Sequence, residues 1–473
     1  MQNNAFIPNE FIQHVQQFLP AHLTIEQFLE YCNKPLRKSI RVNTLKIDIK
    51  SFEKQANAKG WILEAIPWCE FGYWIEADES ETPLGNTAEH MAGLFYIQEA
   101  SSMMPVTALQ NALINASTVL DMAAAPGSKT TQIASIMNNK HLLVANEFSA
   151  SRVKTLHANI ERCGISNCAL TNFDARVFGQ WLPESFDAIL LDAPCSGEGT
   201  IRKDTDALKN WSLSSSAEIA STQKDLIESA FQALKPNGVL VYSTCALSVE
   251  ENQHVCHHLK ELFGDAVTFE PLNHLFPNAE RAITPEGFLH IFPQIFDSEG
   301  FFVARIRKNA SIPTVEAKKK VGKFPFGKAT AKQANEINDL LKNTFNITIP
   351  NDKQIWIRDK EVWLFPNDFE PFIGQMRFSR IGIKIAEMHK TGYRWQHQVA
   401  TSLTTSCDTV TVDLVKDDAR EWFMGRDIRP EGVTGAGEVL VSYSGMVIGL
   451  GKWVGNRIKN GLPRELVRDK NLF

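Results

Sequence analysis

The chain predicts an α/β protein built on a mostly parallel sheet with helices on both faces. Short, continuously apolar strand candidates alternate with helical stretches from about residue 95 to 308, the pattern of strands buried on both sides. At 473 residues the chain also exceeds what one hydrophobic core supports, so several domains are expected. Finally, two cysteines, Cys195 and Cys245, each fall at the C-terminal end of a predicted strand. Ligands of open α/β sheets bind at those ends.

The elements follow in chain order. Two helices, Asn9–Leu19 and Thr24–Tyr31, are each entered at a capping residue, and the alternation over Ser39–Leu45 predicts a strand. A helix over Ser51–Ala58 ends at Gly60, and residues 1–94 form a small α/β unit. In the second unit, 95–308, strands are predicted at Thr118–Met122, Leu142–Asn146, Cys168–Thr171, Ala188–Asp192 and Val239–Thr244. Helices fall at Thr130–Met137, Ala150–Arg162 and Ser215–Leu234, the last stopped by the turn Lys235-Pro236-Asn237-Gly238. A helix over Val249–Leu262 and strands near Leu289–Phe292 and Phe301–Arg307 complete the unit. Residues 309–322, with Lys318-Lys319-Lys320, read as a linker, and 323–378 as a small α/β unit with strands Gln354–Arg358 and Glu361–Phe365. Residues 379–473 read as mostly β, with a tight hairpin at Ser444-Gly445.

Composition narrows the class. Hydrophobic residues make up 44% and charged residues 22%, ordinary for a globular protein. No stretch approaches the ~20 apolar residues of a membrane span, and Met1–Glu10 has no signal-peptide pattern. The eight scattered cysteines fit a reduced, cytoplasmic protein better than a disulfide framework. Net charge is −5, but eight Lys/Arg against two acids fall in Lys34–Lys59, and eight against one in Phe301–Lys328. Such local blocks are compatible with tracking phosphates, and equally with a solvated face.

The turn after the first parallel strand is Ala123-Ala124-Ala125-Pro126-Gly127-Ser128-Lys129. Small residues leading into a helix N-terminus let backbone approach a ligand closely. Neither a dinucleotide fingerprint nor a P-loop is present, which disfavours a dehydrogenase. Glu147 ends the second strand and Asp174 follows the third. An acid in the first place suits a ribose diol, and one in the second an exocyclic amine. Loop and acids at consecutive strand ends describe a pocket for S-adenosylmethionine.

Three segments, Asp121–Lys129, Asp192-Ala193-Pro194-Cys195-Ser196-Gly197 and Tyr242-Ser243-Thr244-Cys245, resemble the Sun/nucleolar-protein family of RNA cytosine-5 methyltransferases. Tyr96-Ile97-Gln98-Glu99-Ala100-Ser101-Ser102 is also typical of it, and Gly425–Ile428 with Gly455–Asn460 resembles the PUA-like RNA-binding tail of one branch. That resemblance implies a Rossmann-like core with a seven-stranded sheet, a small N-terminal α/β domain and a C-terminal PUA-like domain. It implies methylation of a cytosine in the decoding region of 16S ribosomal RNA, with the 30S subunit as partner. It places the cofactor site on Ala123 to Lys129, Glu147, Asp174 and Asp192, the nucleophile on Cys245, the second thiol on Cys195, and no metal. Asp192 is also the acid expected near ring nitrogen 3 of the base.

The residues alone do not say which thiol attacks. RNA contacts are expected from Lys34–Lys59, from Lys452, Arg457, Lys459 and Arg464, and from Trp395 and Trp453, in a monomer. Transfer RNA as substrate, or a non-catalytic RNA-binding assembly factor, are the competing readings.

Overall fold

In the computed structural model, residues 5–473 are described apart from 316, 318, 320, 391, 405–408 and 471; Lys318, Lys320 and Cys407 thus lie outside the description. The first helix, Asn9–Val15, is shorter than predicted, because the chain breaks into turns ahead of Pro20. The second, Ile25–Cys32, starts from a capping box between Thr24 and Gln27. Strands β1 (Ser39–Val42), β2 (Ile62–Ala65), β3 (Gly72–Glu76) and β4 (Phe95–Ile97) form an antiparallel sheet in the order β2-β3-β1-β4. β1 stops at Val42 because Asn43 turns its side chain inward, donating to Gly93 O and Cys163 O. Arg41, 1% exposed, reaches from β1 to Gln98, Ser128 O and Thr131 and so fastens this unit to the next.

The second unit is organised by β5 (Thr118–Asp121), β6 (Leu142–Asn146), β7 (Cys168–Thr171), β8 (Phe186–Asp192) and β9 (Leu234–Thr244), all parallel, in the order β9-β8-β5-β6-β7. β10 (Val267–Glu270) and β12 (Phe301–Lys308) continue the sheet antiparallel beyond β9, making the predicted seven. Two further strands raise it to nine: β11 (Leu289–Ile291) on β12, and a two-residue strand from the C-terminal part on β7. The order reverses beside β5, where a crevice opens at the strands' C-terminal ends. Both faces are covered, with Leu120, Ile189 and Leu240 packing on one side and Val119, Leu190 and Val241 on the other.

Two local readings change. Lys235–Gly238 is not a clean stop between helix and strand. β9 begins at Leu234, opposite Phe186, and the register jumps to Val239 opposite Ala188, so these four residues bulge from the strand. The helix read from Val249 starts at Gln253, because the Asn252 side chain is occupied by Thr244 Oγ1 and Ala246 O.

In the C-terminal part, β13 (Gly327–Lys328), β14 (Lys353–Arg358), β15 (Glu361–Pro366), β17 (Ile383–His389) and β18 (Gly392–Trp395) form one five-stranded sheet. That sheet passes the boundary read at 378, because β15 pairs with β17. Between them β16 (Arg380–Ile381) is the strand that joins β7. The last sheet runs β19 (Thr411–Asp413), β20 (Glu438–Tyr443), β21 (Met446–Val454), β22 (Arg457–Asn460) in that order, with the Ser444-Gly445 hairpin at φ +50° and +78°. No helix among the described residues is long and apolar enough to cross a membrane.

Candidate active site

At the end of β5 the chain turns through Met122–Pro126 into the helix Ser128–Ile136. Gly127 sits at φ +111°, and a Cβ there would lie 3.2 Å from Leu156, so backbone alone fits. Ala124 N–H donates to Asn146 O at 2.8 Å, tying the loop to the end of β6. Beneath the loop, Asp121 accepts from Thr130 Oγ1 at 2.7 Å through one oxygen, while the other is buried without a partner. Burial pushes its carboxyl up to about 7.

Glu147, 3% exposed, ends β6 and accepts from Ser149 N–H at 2.8 Å, with Arg152 alongside. Asp174 follows β7 and is held by the Arg176 guanidinium at 2.6 Å, which keeps its carboxyl below the usual range. Acids therefore stand at three adjacent strand ends beside a helix N-terminus. S-adenosylmethionine carries donors and cations in its amine, diol, ammonium and sulfonium, and one carboxylate. An acceptor-lined crevice with an orphaned buried carboxylate oxygen and one helix N-terminus fits that donor set.

The thiols meet on the other side of β5. β8 and β9 are paired through Asp192 and Ser243, and beyond them Cys195 Sγ and Cys245 Sγ lie 3.1 Å apart, both half-buried. Fully buried Glu198 joins the two strand-end loops: its carboxylate accepts from Leu247 N–H, Ser248 N–H, the Ser248 hydroxyl and Trp211 Nε1. Gly199 N–H donates to Cys245 O at 2.7 Å, and a Cβ on Gly199 would meet Gly300 O at 2.3 Å. On the Cys195 side, Glu251 accepts from Ser196 N–H and Gln223, each at 3.0 Å. The contact with Cys245, burial and the charge of Glu251 push the Cys195 thiol well above its ordinary value.

Lys129, expected among the cofactor ligands, is buried beside Asp192, another member of that set. Its ammonium donates to Asp192 Oδ2 at 2.6 Å and to Ser102 Oγ at 2.9 Å, and it is electrostatically coupled to Cys245. Burial opposes its charge, but Asp192 outweighs that and holds the ammonium above the usual lysine value. Ser243 Oγ donates to the other Asp192 oxygen at 2.7 Å, so Asp192 links the base of the crevice to Lys129. Behind Ser102 sits an acidic pair that the sequence reading did not single out. Glu99 accepts from Ser102 N–H at 3.1 Å and from Glu299 N–H at 3.3 Å. Glu299, 5% exposed, has a carboxyl pushed up to about 8 by burial and by Glu99. Glu198, Glu251 and Ser243 were likewise missed; Glu99 and Ser243 carried a signal, through the segments Tyr96–Ser102 and Tyr242–Cys245.

Most cations of the basic blocks are engaged locally. Lys34, Arg37, Lys38 and Lys59 pair with carboxylates, and Arg41 and Lys46 are turned inward. Arg305, Arg307, Lys308 and Lys328 also have carboxylate partners.

Comparison with known proteins identifies the family. Residues 107–307 match the family model of the 16S rRNA methyltransferase RsmB/F, and 7–100 that of the N-terminal domain of 16S rRNA methyltransferase RsmF. Residues 326–403 match the pre-PUA domain of ribosomal RNA small subunit methyltransferase F, and 409–468 the methyltransferase RsmF PUA domain. The chain is 68% identical over 473 residues to ribosomal RNA small subunit methyltransferase F of Vibrio atlanticus (strain LGP32), covering 100% of both. A solved methyltransferase homolog from Pyrococcus horikoshii has 31% identity and a TM-score of 0.51 over 64% of this chain and 100% of that one. NSun6 from the same organism, solved with SFG, shares the fold at TM-score 0.55 and 22% identity over 64% and 99%. With four domain models matched in order and full-length identity to a curated relative, the chain belongs to the RsmF family of S-adenosylmethionine-dependent RNA methyltransferases.

Proposed function

We propose that the protein methylates carbon 5 of a cytosine in the decoding region of 16S ribosomal RNA, through a covalent adduct between Cys245 and carbon 6 of the base. The observation that carries this reading is the 3.1 Å thiol pair with unlike electrostatic neighbours, Lys129 for Cys245 and Glu251 for Cys195. Cys195, pushed up by the Cys245 contact, burial and Glu251, keeps its proton, so Cys245 is the sulfur this reading assigns to attack. The thiolate is the nucleophilic form of cysteine.

Addition of Cys245 sulfur to carbon 6 pushes the ring electrons toward nitrogen 3 and makes carbon 5 enamine-like. S-adenosylmethionine, when bound, supplies an electrophilic methyl group on a sulfonium. Nitrogen 3 takes up a proton from water as negative charge develops there, and Asp192, held by Lys129 and Ser243, would accept the hydrogen bond of that proton. Water then takes the carbon 5 proton, the carbon 5–hydrogen electrons rebuild the ring double bond, and the carbon–sulfur bond breaks with its electron pair leaving on Cys245; Cys195, 3.1 Å away, assists that release. The base must be splayed out of any helix, since an A-form duplex hides both carbons. The reduced thiols of the site suit the cytoplasm.

The test is transfer of labelled methyl from S-adenosylmethionine to 30S subunits, naked 16S ribosomal RNA and total transfer RNA. Label recovered as 5-methylcytosine in 16S ribosomal RNA is expected. Label in transfer RNA alone reassigns the substrate, and no label in any RNA overturns the reading.

A further inference from the structure

A second group of polar side chains converges away from the thiols, where the end of the chain meets the helix Ala150–Arg162. His157 and Glu161 stand four residues apart on that helix and so share a face. Glu465, from the turn Arg464–Leu466 beyond β22, faces them, and one ligand atom of each residue lies within 4.8 Å of the other two. A cavity of about 420 Å³, lined also by Lys154, Leu170 and Arg380, opens at this junction.

These three groups are not engaged elsewhere. His157 Nε2 is buried and has no hydrogen-bond partner among the described residues. Glu161 is 6% exposed, yet its carboxylate has no ion pair within 4.0 Å among the described residues; Arg380 acts on it from farther off and the like charge of Glu465 opposes it. Glu465 is exposed and also has no ion pair within that distance among the described residues. A carboxylate taken out of water ordinarily has a partner. Arginine is the usual one, but Arg380 is divided among Glu161, Glu465 and Glu361 and lies over the Trp363 ring. Burial pushes His157 down to about 4, which keeps the imidazole neutral, the form that ligates. Burial likewise pushes the Glu161 carboxyl up to about 7, a cost that a cation beside it removes.

Three lone-pair acceptors converge here with no N–H or O–H between them, an arrangement that a cation turns from repulsive to attractive. One imidazole nitrogen and two carboxylate oxygens form a ligand set that zinc takes, and zinc binds such a set more tightly than manganese does. Ligand atoms around a tetrahedral zinc lie ~3.3 Å apart, so small rotations, chiefly of exposed Glu465, close the site.

We propose that His157, Glu161 and Glu465 form a structural zinc site that staples the end of the chain to the catalytic unit, with water in the fourth position. The ion has no part in methyl transfer. It steadies the helix from which Asn159 donates to Pro126 O of the cofactor loop at 2.9 Å.

The experiment treats the full-length chain with a chelator and then titrates zinc chloride, reading metal uptake against a competing indicator together with Tm. A Cys195→Ser/Cys245→Ser background keeps the thiol pair from taking the ion. One equivalent should bind, raising Tm by at least about 2 °C at a hundredfold excess over Kd. Glu465→Gln and His157→Gln should each weaken binding at least about tenfold and abolish that rise. Glu465→Gln, at an exposed position, should melt with its parent when both are free of metal, which separates lost ligation from misfolding. No uptake, or uptake without a rise in Tm, overturns the proposal and leaves an acidic pair balanced by Arg380. Uptake that survives both substitutions places the ion elsewhere and overturns it too.

Discussion

The carboxylate of Glu198 accepts from Ser248 backbone N–H at 2.7 Å, so the loop bearing Cys195 holds the loop bearing Cys245 through a fully buried hydrogen bond. Glu198→Ala would strand two backbone N–H groups and the Trp211 indole N–H without acceptors. A loss of about 3 kcal/mol is expected in denaturant unfolding. Methyl transfer should fall further than stability accounts for, because the thiol spacing relaxes. Wild-type kinetics in a destabilised variant would refute the clamp.

Replacing the two cysteines separately should give opposite failures. With Cys245 as the proposed nucleophile, Cys245→Ser should abolish both methylation and covalent RNA trapping. Cys195→Ser should instead accumulate a protein–RNA adduct that resists denaturing electrophoresis. A stable adduct from Cys245→Ser exchanges the two roles.

Lys129 separates two roles by its kinetics. If it serves Asp192, as its 2.6 Å contact indicates, Lys129→Met should lower kcat by about a hundredfold or more, with little change in cofactor Kd. A large rise in cofactor Kd with kcat preserved would return it to the cofactor site.

The pair Glu99–Glu299 predicts a pH dependence of stability. The Glu299 carboxyl rises to about 8 in the folded chain from an ordinary value of 4.5, so its stabilising contribution is complete below about 4.5 and is lost as pH rises toward 8. Glu299→Gln keeps the shape without the titration. Its melting temperature should exceed that of wild type at pH 8 and fall less between pH 5 and 8. Parallel curves for the two proteins would dismiss the effect.

The parts legible in the sequence were those written locally. Leu142–Asn146, Cys168–Thr171 and Ala150–Arg162 lie where their apolar runs and caps predict. What escaped depended on partners distant along the chain. Lys129 meets Asp192 across 63 residues, and Glu299 meets Glu99 across 200. The charge blocks misled for the same reason: Arg37 finds both Glu64 and Asp297, so a cationic run in sequence is a largely neutral surface in space. The boundary at 378 failed because β16 belongs to one sheet while the strands on either side of it belong to another.

That two-residue strand covers one edge of the catalytic sheet. Ser379 and Gly382 N–H groups, donating to Leu170 O and Cys168 O at 2.8 and 2.9 Å, occupy the outer rim of the catalytic sheet. Cutting the chain in 309–322 would bare the apolar strand Cys168-Ala169-Leu170-Thr171 along its unpaired side, an invitation to intermolecular strand addition. The isolated N-terminal portion should therefore scatter light as oligomers at concentrations where the intact chain does not. The C-terminal part thus guards the catalytic sheet against aggregation, and truncation would remove that guard.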